Sequence, residues 1–286
     1  MQATVRVAAI QMAVAWLEPA KNAERMAAMV RQVHAEHGSQ LIVFPELANT
    51  GYLTGRDREF ARRYALAAEA IPGPTTETIG AAARAAGVYV VVGMCEAGRQ
   101  IPGTMSNAAV LIGPRGAVEG VHRKVHIPGE EKHYFHPGGT TDVSRTELGT
   151  LGLQVCADLR FPELSRIQAL RGAEILCCAF SKPKNRRGVP DSSLPNLTWM
   201  AYTRAIENLV YAIVANRVGQ EGDLAFDGRS VIVGPTGAVL AESPSEEAEE
   251  ILVATLDGEL LLEERAYNPV FRDRQPPLYR PISELY

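Results

Sequence analysis

Residues Leu151-Gly152-Leu153-Gln154-Val155-Cys156-Ala157-Asp158-Leu159-Arg160-Phe161-Pro162-Glu163-Leu164 hold the transition on which the fold reading turns. Leu151–Val155 reads as a strand, and Pro162 suits the first position of a helix. That helix is expected over Glu163–Arg171 with Gly172 as its stop, and Ile175–Phe180 is the next apolar strand. The alternation continues outward in both directions. Arg6–Met12, Leu41–Phe44, Val88–Met94 and Leu209–Ala215 read as strands. Between them, Met26, Val30 and Val33 recur at helical spacing before Gly38, Thr76–Ala86 is an alanine-rich helix closed by Gly87, and Leu197–Glu207 is helical. Strands alternating with helices indicate an α/β fold.

Two further segments echo one another. Gly113-Pro114-Arg115-Gly116-Ala117-Val118 and Gly234-Pro235-Thr236-Gly237-Ala238-Val239 differ at only one of their positions, and each joins two apolar strands. Pro followed by Gly with two residues between is hairpin-turn chemistry. The echo suggests two similar half-layers, two sheets packed together with helices outside. No low-complexity linker divides residues 1–286, so a single domain is expected, with an Arg-, Pro- and Tyr-rich extended tail from about Asn268.

The chain has 286 residues, 46% of them apolar, with 29 basic and 33 acidic side chains and a formal charge of −4. That is ample to bury a core without disulfides or metals. The mild acidity argues against nucleic-acid or membrane-surface binding, which calls for a basic footprint. Apolar runs such as Val88–Met94 are strand-sized and too short to span a bilayer. The first residues, Met1 to Met12, lack a signal-peptide pattern, and Cys95, Cys156, Cys177 and Cys178 follow no disulfide or zinc spacing. A reducing cytoplasm is the expected location.

Three segments carry chemistry. In Phe44-Pro45-Glu46 a carboxylate directly follows a buried strand, at a sheet edge where partial burial would raise its pKa and suit it to base catalysis. In Arg123-Lys124-Val125-His126-Ile127-Pro128 a lysine can steady an oxyanion or pair with a carboxylate. The histidines around it match no zinc motif, and no metal is expected. Cys156 lies in the sharp turn between strand and helix, expected to be exposed and near a helix N-terminus, both of which favour the thiolate. Cys95, Cys177 and Cys178 lie inside apolar strands and read as inert.

Taken together, Phe44–Glu46, Arg123–Pro128 and Cys156–Glu163 resemble, in order, the signatures of the nitrilase superfamily of carbon–nitrogen hydrolases. Thr50-Gly51-Tyr52, Glu131-Lys132-His133-Tyr134-Phe135-His136-Pro137-Gly138, Arg204–Asn208 and Ala215–Gly219 add to a likeness that covers roughly residues 4 to 260. The resemblance implies a four-layer αββα sandwich. It also implies a catalytic set of Glu46 as base, Lys124 as oxyanion stabiliser, Cys156 as nucleophile and Glu131 as a second glutamate that positions substrate and lysine. No cofactor is implied.

The same resemblance points to hydrolysis of a small amide, with ammonia leaving and a cysteine thioester as intermediate. Ala157 stands where relatives usually carry a large aromatic residue, which should open that side of the pocket; its backbone N–H would help bind the oxyanion. Arg160 is a candidate for a substrate carboxylate, with an ion pair to Glu163 or another nearby acid as the competing role. Tyr52, Tyr134, Phe180, Ser181 and Trp199 are candidate pocket residues. Cys156-Ala157-Asp158 is closer to amidase and carbamoyl-hydrolase branches than to the Cys-Trp-Glu of nitrilases, and the short Lys124–Glu131 loop favours an amidase over a carbamoylase. A nitrilase and a non-catalytic interaction protein complete the alternatives. Homo-oligomers that dock through Glu163–Arg171 and Leu197–Glu207 are expected, with the tail reaching a partner subunit.

Overall fold

The computed structural model describes residues 1–184 and 197–284. Among the described residues, fourteen strands and six α-helices are present. The first sheet comprises β1 (Thr4–Gln11), β2 (Leu41–Val43), β3 (Tyr89–Ala97), β4 (Met105–Ile112), β5 (Val118–Arg123) and β14 (Glu250–Asp257). The second comprises β6 (Val143–Arg145), β7 (Thr150–Val155), β8 (Ile175–Ala179), β9 (Tyr211–Ala215), β12 (Val231–Val233) and β13 (Val239–Glu242). A separate two-stranded ribbon joins β10 (Val218–Glu221) to β11 (Leu224–Asp227).

The two large sheets share one plan. Their orders are β14-β1-β2-β3-β4-β5 and β6-β7-β8-β9-β12-β13. In each, an antiparallel edge strand precedes two parallel pairings and then two antiparallel ones. The echoed hexapeptides are the last hairpin of each half. Gly113 N–H donates to the Ala117 carbonyl at 2.9 Å, and Gly234 N–H to that of Ala238 at 2.8 Å. Gly116 and Gly237 adopt φ of 80° and 86°, which a side chain would disfavour, and both hairpins carry a register shift beside the turn.

Strand alternation sorts the core into layers. On β1, Val5, Val7 and Ala9 face the other sheet and pack with Leu151, Leu153, Ile175, Cys177, Ile213 and Val233. Ala8 and Ile10 face the opposite way, onto Met26, Ala27, Val30 and Val33 of α1 (Pro19–His37) and Ile79, Ala82 and Ala83 of α3 (Pro74–Ala86). On the far side, α4 (Pro162–Leu170) and α5 (Leu197–Asn208) cover the second sheet. The result is the expected αββα sandwich.

Pro162 is the first residue of α4, as the sequence indicated. The elements that went unforeseen include α2 (Arg58–Ala67), α6 (Gly258–Tyr267), the β10–β11 ribbon and the short edge strand β6. α2 is short but does carry a stripe, Phe60 and Tyr64 buried at i,i+4 spacing, which the sequence reading passed over, whereas α6 buries just Leu261 and displays no helical stripe. The tail beyond Asn268 runs irregularly over the surface with short 3-10 turns at Pro276–Leu278 and Arg280–Ser283.

Candidate active site

Four sequence-predicted residues follow the carboxyl ends of strands, where α/β sheets build their sites. Glu46 follows β2, Lys124 follows β5, Cys156 follows β7 and Ser181 follows β8. Backbone hydrogen bonds tie these loops to neighbouring strands of the same sheet and, at Glu46, to the other sheet. Glu46 N–H donates to the Phe180 carbonyl at 3.3 Å, Phe44 N–H to Val91 at 2.8 Å, and Lys124 N–H to Asn107 at 2.8 Å. Ser181 Oγ donates to the Glu46 carbonyl at 3.1 Å.

At the centre is a buried ammonium held between two carboxylates. Lys124 Nζ lies 2.7 Å from Glu46 Oε1 and 2.7 Å from Glu131 Oε2. Glu131 sits in a 3-10 turn, Gly129–His133, and its Oε1 accepts the Tyr52 hydroxyl at 2.5 Å. Asn107 Nδ2 donates to Glu46 Oε1 at 2.7 Å, while Glu46 Oε2 is buried with no hydrogen-bond partner among the described residues.

Charge and burial set the protonation states. Burial raises the Glu46 carboxyl above its ordinary pKa; Lys124 pulls it down, Glu131 pushes it up, and the hydrogen bonds from Lys124 and Asn107 lower it again. Burial disfavours the Lys124 ammonium, yet Cys156, Glu46 and Glu131 outweigh it and hold the lysine well above its ordinary value. The Cys156 thiol is pushed up, first by burial and then by Glu46, with Lys124 and a backbone hydrogen bond from Ser181 opposing.

This corrects the expectation of an exposed, acidic thiol. Cys156 is only 6% exposed, and the desolvation of its thiolate prevails over the lysine. It occupies a strained elbow, with φ of 47°, at the first position of a 3-10 turn, Cys156–Arg160. Arg204 grips that turn from α5: its Nε donates to the Leu159 carbonyl at 2.9 Å and its Nη2 to that of Arg160 at 3.0 Å. Asp158 is buried in the turn and accepts from His122 Nε2 at 2.9 Å and His126 Nδ1 at 2.8 Å. Burial disfavours its carboxylate, but those histidines reverse the balance and hold it below the ordinary carboxylate range.

A cavity of about 640 Å³ opens beside this cluster, walled by Tyr52, Leu53, Arg56, Glu131, Tyr134 and Leu224 among others. Tyr52 and Tyr134, both named from the sequence, are in this wall. Ser181 and Ala157 are buried against the elbow and Glu46 loop and, like Glu46, Lys124 and Cys156 themselves, are not wall residues of the cavity; Phe180 is in the inter-sheet core. Arg160 departs from expectation. It is exposed, is not a wall residue, and forms no ion pair with Glu163 among the described residues, because its place at the end of the 3-10 turn directs it outward. Trp199 also departs: it is 74% exposed on the outer face of α5. Cys95, Cys177 and Cys178 are buried, with the Cys177 thiol pushed up to about 12 by desolvation.

Several contributors escaped the sequence reading. Gly93 on β3 is one: a Cβ there would come within 2.4 Å of the Pro45 carbonyl and 2.5 Å of Glu46 Cα. Its signal was a lone glycine inside an apolar strand. Asn107, a polar residue opening an apolar strand, was another visible clue. Arg217 is fully buried over the Phe226 ring, at 4.4 Å, and pairs with Glu221, whose Oε2 accepts the Tyr52 N–H at 2.5 Å. Desolvation lowers the Arg217 pKa to about 10.

A two-sheet α/β sandwich with a buried Cys, Lys and paired Glu defines a class of hydrolytic site, and comparison with known proteins gives it a family. The family model for carbon-nitrogen hydrolase matches residues 6–264. A nitrilase of Pyrococcus abyssi is 36% identical over 283 residues, covering 96% of this chain and 99% of that protein. The carbon-nitrogen hydrolase of Helicobacter pylori G27 superposes with a TM-score of 0.86 at 29% identity, covering 99% of each chain. A variant of the amidase from Nesterenkonia sp. AN1, with the acetamide moiety of fluoroacetamide added covalently to its active-site cysteine, gives 0.79 at 28% identity and 98% coverage of both. The chain belongs to the carbon–nitrogen hydrolase family. It is a hydrolase of non-peptide C–N bonds.

Proposed function

We propose that the protein hydrolyses small linear amides to a carboxylic acid and ammonia through a thioester on Cys156. The observation that carries this reading is the Lys124 ammonium fixed at 2.7 Å from both Glu46 and Glu131 beside the strained Cys156 elbow. Glu46 Oε2, which has no partner, takes the thiol proton as the sulfur attacks the amide carbon. Lys124 and the Ala157 N–H stabilise the oxyanion, for which a donor of this kind contributes ~3–4 kcal/mol. The proton on Glu46 passes to the departing nitrogen and ammonia leaves. Water then gives a proton to Glu46, attacks the thioester, and the thiol reclaims that proton as the acid departs. Glu131, braced by Tyr52, holds the lysine in place.

The acetamide adduct on the cysteine of the Nesterenkonia amidase supports the amide reading. The Pyrococcus relative supports nitriles as the second substrate class. Intact-protein mass spectrometry of wild type and Cys156→Ala, after incubation with small amides, N-carbamoyl amino acids and nitriles, tests both. An acyl adduct on wild type alone, with ammonia release, is expected from amides. Carbon dioxide release would identify a carbamoylase instead, and turnover of nitriles alone a nitrilase. Full turnover by Cys156→Ala would refute the mechanism.

The homo-oligomer expected from the resemblance would use the apolar side chains exposed on α4 and α5, including Ile167, Leu170 and Tyr202. Sedimentation at micromolar concentration tests it, and a strict monomer would refute it.

A further inference from the structure

Lys124 and Cys156 enter the site from different sheets, at the ends of β5 and β7. One buried carboxylate spans the gap between these strand ends. Asp158 Oδ1 accepts the N–H groups of Val125 and His126 at 3.2 and 3.0 Å and the His126 ring Nδ1 at 2.8 Å. Its Oδ2 accepts His122 Nε2 at 2.9 Å and the Val155 N–H at 3.2 Å. The donors thus come from both sides of Lys124 and from the residue immediately before Cys156.

The two histidines use opposite ring nitrogens. An ionised carboxylate only accepts, so His122 must carry its proton on Nε2 and His126 on Nδ1. His122 Nδ1 is then left buried without a partner among the described residues, a cost that an apolar side chain at that position would avoid. The Nε2 hydrogen bond offsets it, so packing alone is a poor account of the ring. His126 is held in orientation by the Phe161 ring, stacked at 3.7 Å and 7°.

We propose that Asp158, His122 and His126 form a positioning clamp that sets the separation of the Lys124 ammonium from the Cys156 sulfur and thereby the reactivity of that thiol. The clamp rests on the roles given to Lys124 and Cys156 above. Its members touch no substrate; they act through the two strand ends they join. Losing a clamp bond lets the lysine drift from the sulfur, which weakens the thiolate and slows its attack.

Because the rings use different nitrogens, a crossed set of substitutions separates hydrogen bonding from packing. Gln places an N–H near the Nε2 position of histidine, and Asn near Nδ1. His122→Gln and His126→Asn keep the clamp bond; His122→Asn and His126→Gln do not. The readout is alkylation of Cys156 by iodoacetamide, followed by intact-protein mass spectrometry across pH with thermal melting alongside. We expect His122→Gln and His126→Asn to stay close to wild type. The other two should be slowed about tenfold or more, with the pH midpoint of alkylation moved upward. The paired amides are alike in polarity and size, so a folding defect would strike both members of a pair, and melting would report it.

Equal rates for Asn and Gln at both positions, in cooperatively melting proteins, would overturn the clamp, as would the reverse pattern. Wild type alkylated no faster at Cys156 than at Cys95, Cys177 or Cys178 would overturn the clamp together with the nucleophile. Alkylation needs no amide substrate. The crossed pattern without turnover of any amide would therefore uphold the clamp while refuting the amidase reading.

Discussion

Lys124 Nζ binds one oxygen of Glu46, at 2.7 Å, and leaves the other buried and without a partner. The carboxylate is thus divided: Oε1 is committed to Lys124 and Asn107, and Oε2 is free to take a proton. Burial raises the pKa of this group, so the acid limb of kcat/KM, which reports the free enzyme, should lie above the ordinary glutamate value of 4.5. Asn107 lowers that pKa by its hydrogen bond. Asn107→Leu removes a stabiliser of the charged form, and the limb should move to higher pH. A pH–rate profile of ammonia release from a turned-over amide measures both. A limb that moved downward in Asn107→Leu would contradict this account.

Lys124→Met should be severely impaired for two separable reasons. Loss of an oxyanion donor typically costs about 10²–10³ in kcat. Loss of the central cation also leaves Glu46 and Glu131 as buried, uncompensated carboxylates, and breaking such a pair costs about 3–5 kcal/mol. Adding Glu131→Gln should restore part of the stability and none of the activity. Urea titrations of the single and double variants read the first quantity, and ammonia release reads the second.

The sandwich was legible because its strands are apolar runs bounded by glycine and proline, and because the two hairpin turns nearly repeat. The ionisable cluster was legible as three separate motifs, for Glu46, Lys124 and Cys156 each stand directly after a strand. What escaped depends on distance in space. Nothing near Arg160 in sequence shows that it faces outward, and nothing near Cys156 shows that the packed turn buries its thiol. Asp158 was visible as part of a motif, but its donors His122 and His126 come from another sheet's edge and only the fold brings them together. Arg217 was visible only as part of the Ala215–Gly219 segment, and its burial against Phe226 and pairing with Glu221 on the short ribbon leave no periodic signal.

Backbone strain at the nucleophile should appear as a stability difference. Cys156 holds φ at 47°, a region where a residue with a Cβ pays of order 1–3 kcal/mol and glycine pays little. Cys156→Gly should therefore be more stable than Cys156→Ala by about 1 kcal/mol, although glycine is ordinarily the more costly residue through its unfolded-state entropy. Both should be inactive. Chemical denaturation of the pair, analysed at equal slope, gives the sign directly, and a less stable glycine variant would show that the elbow is not strained.

Gly93 gives the last prediction. It lies on β3 opposite the Pro45-Glu46 segment, and its N–H donates to the Pro45 carbonyl at 3.2 Å while its carbonyl accepts the Ala48 N–H at 2.7 Å. A methyl group at this position would sit 2.4 Å from the Pro45 carbonyl oxygen and 2.5 Å from Glu46 Cα, both backbone atoms that no rotamer change can move aside. Gly93→Ala must therefore push the Glu46 segment away from β3, and the carboxylate with it. A shift of about 1 Å in a catalytic group can cost on the order of 10²-fold in rate. The variant should lose kcat on a turned-over amide by that order. Gly87→Ala is the control for glycine loss alone, since nothing lies within 4 Å of its added carbon; it carries a strained φ of 68° but stands far from Glu46 in the chain, at the end of α3. It should lose stability and keep its turnover. Equal kcat losses in the two variants would mean that the close approach of Gly93 to Glu46 has no bearing on the chemistry.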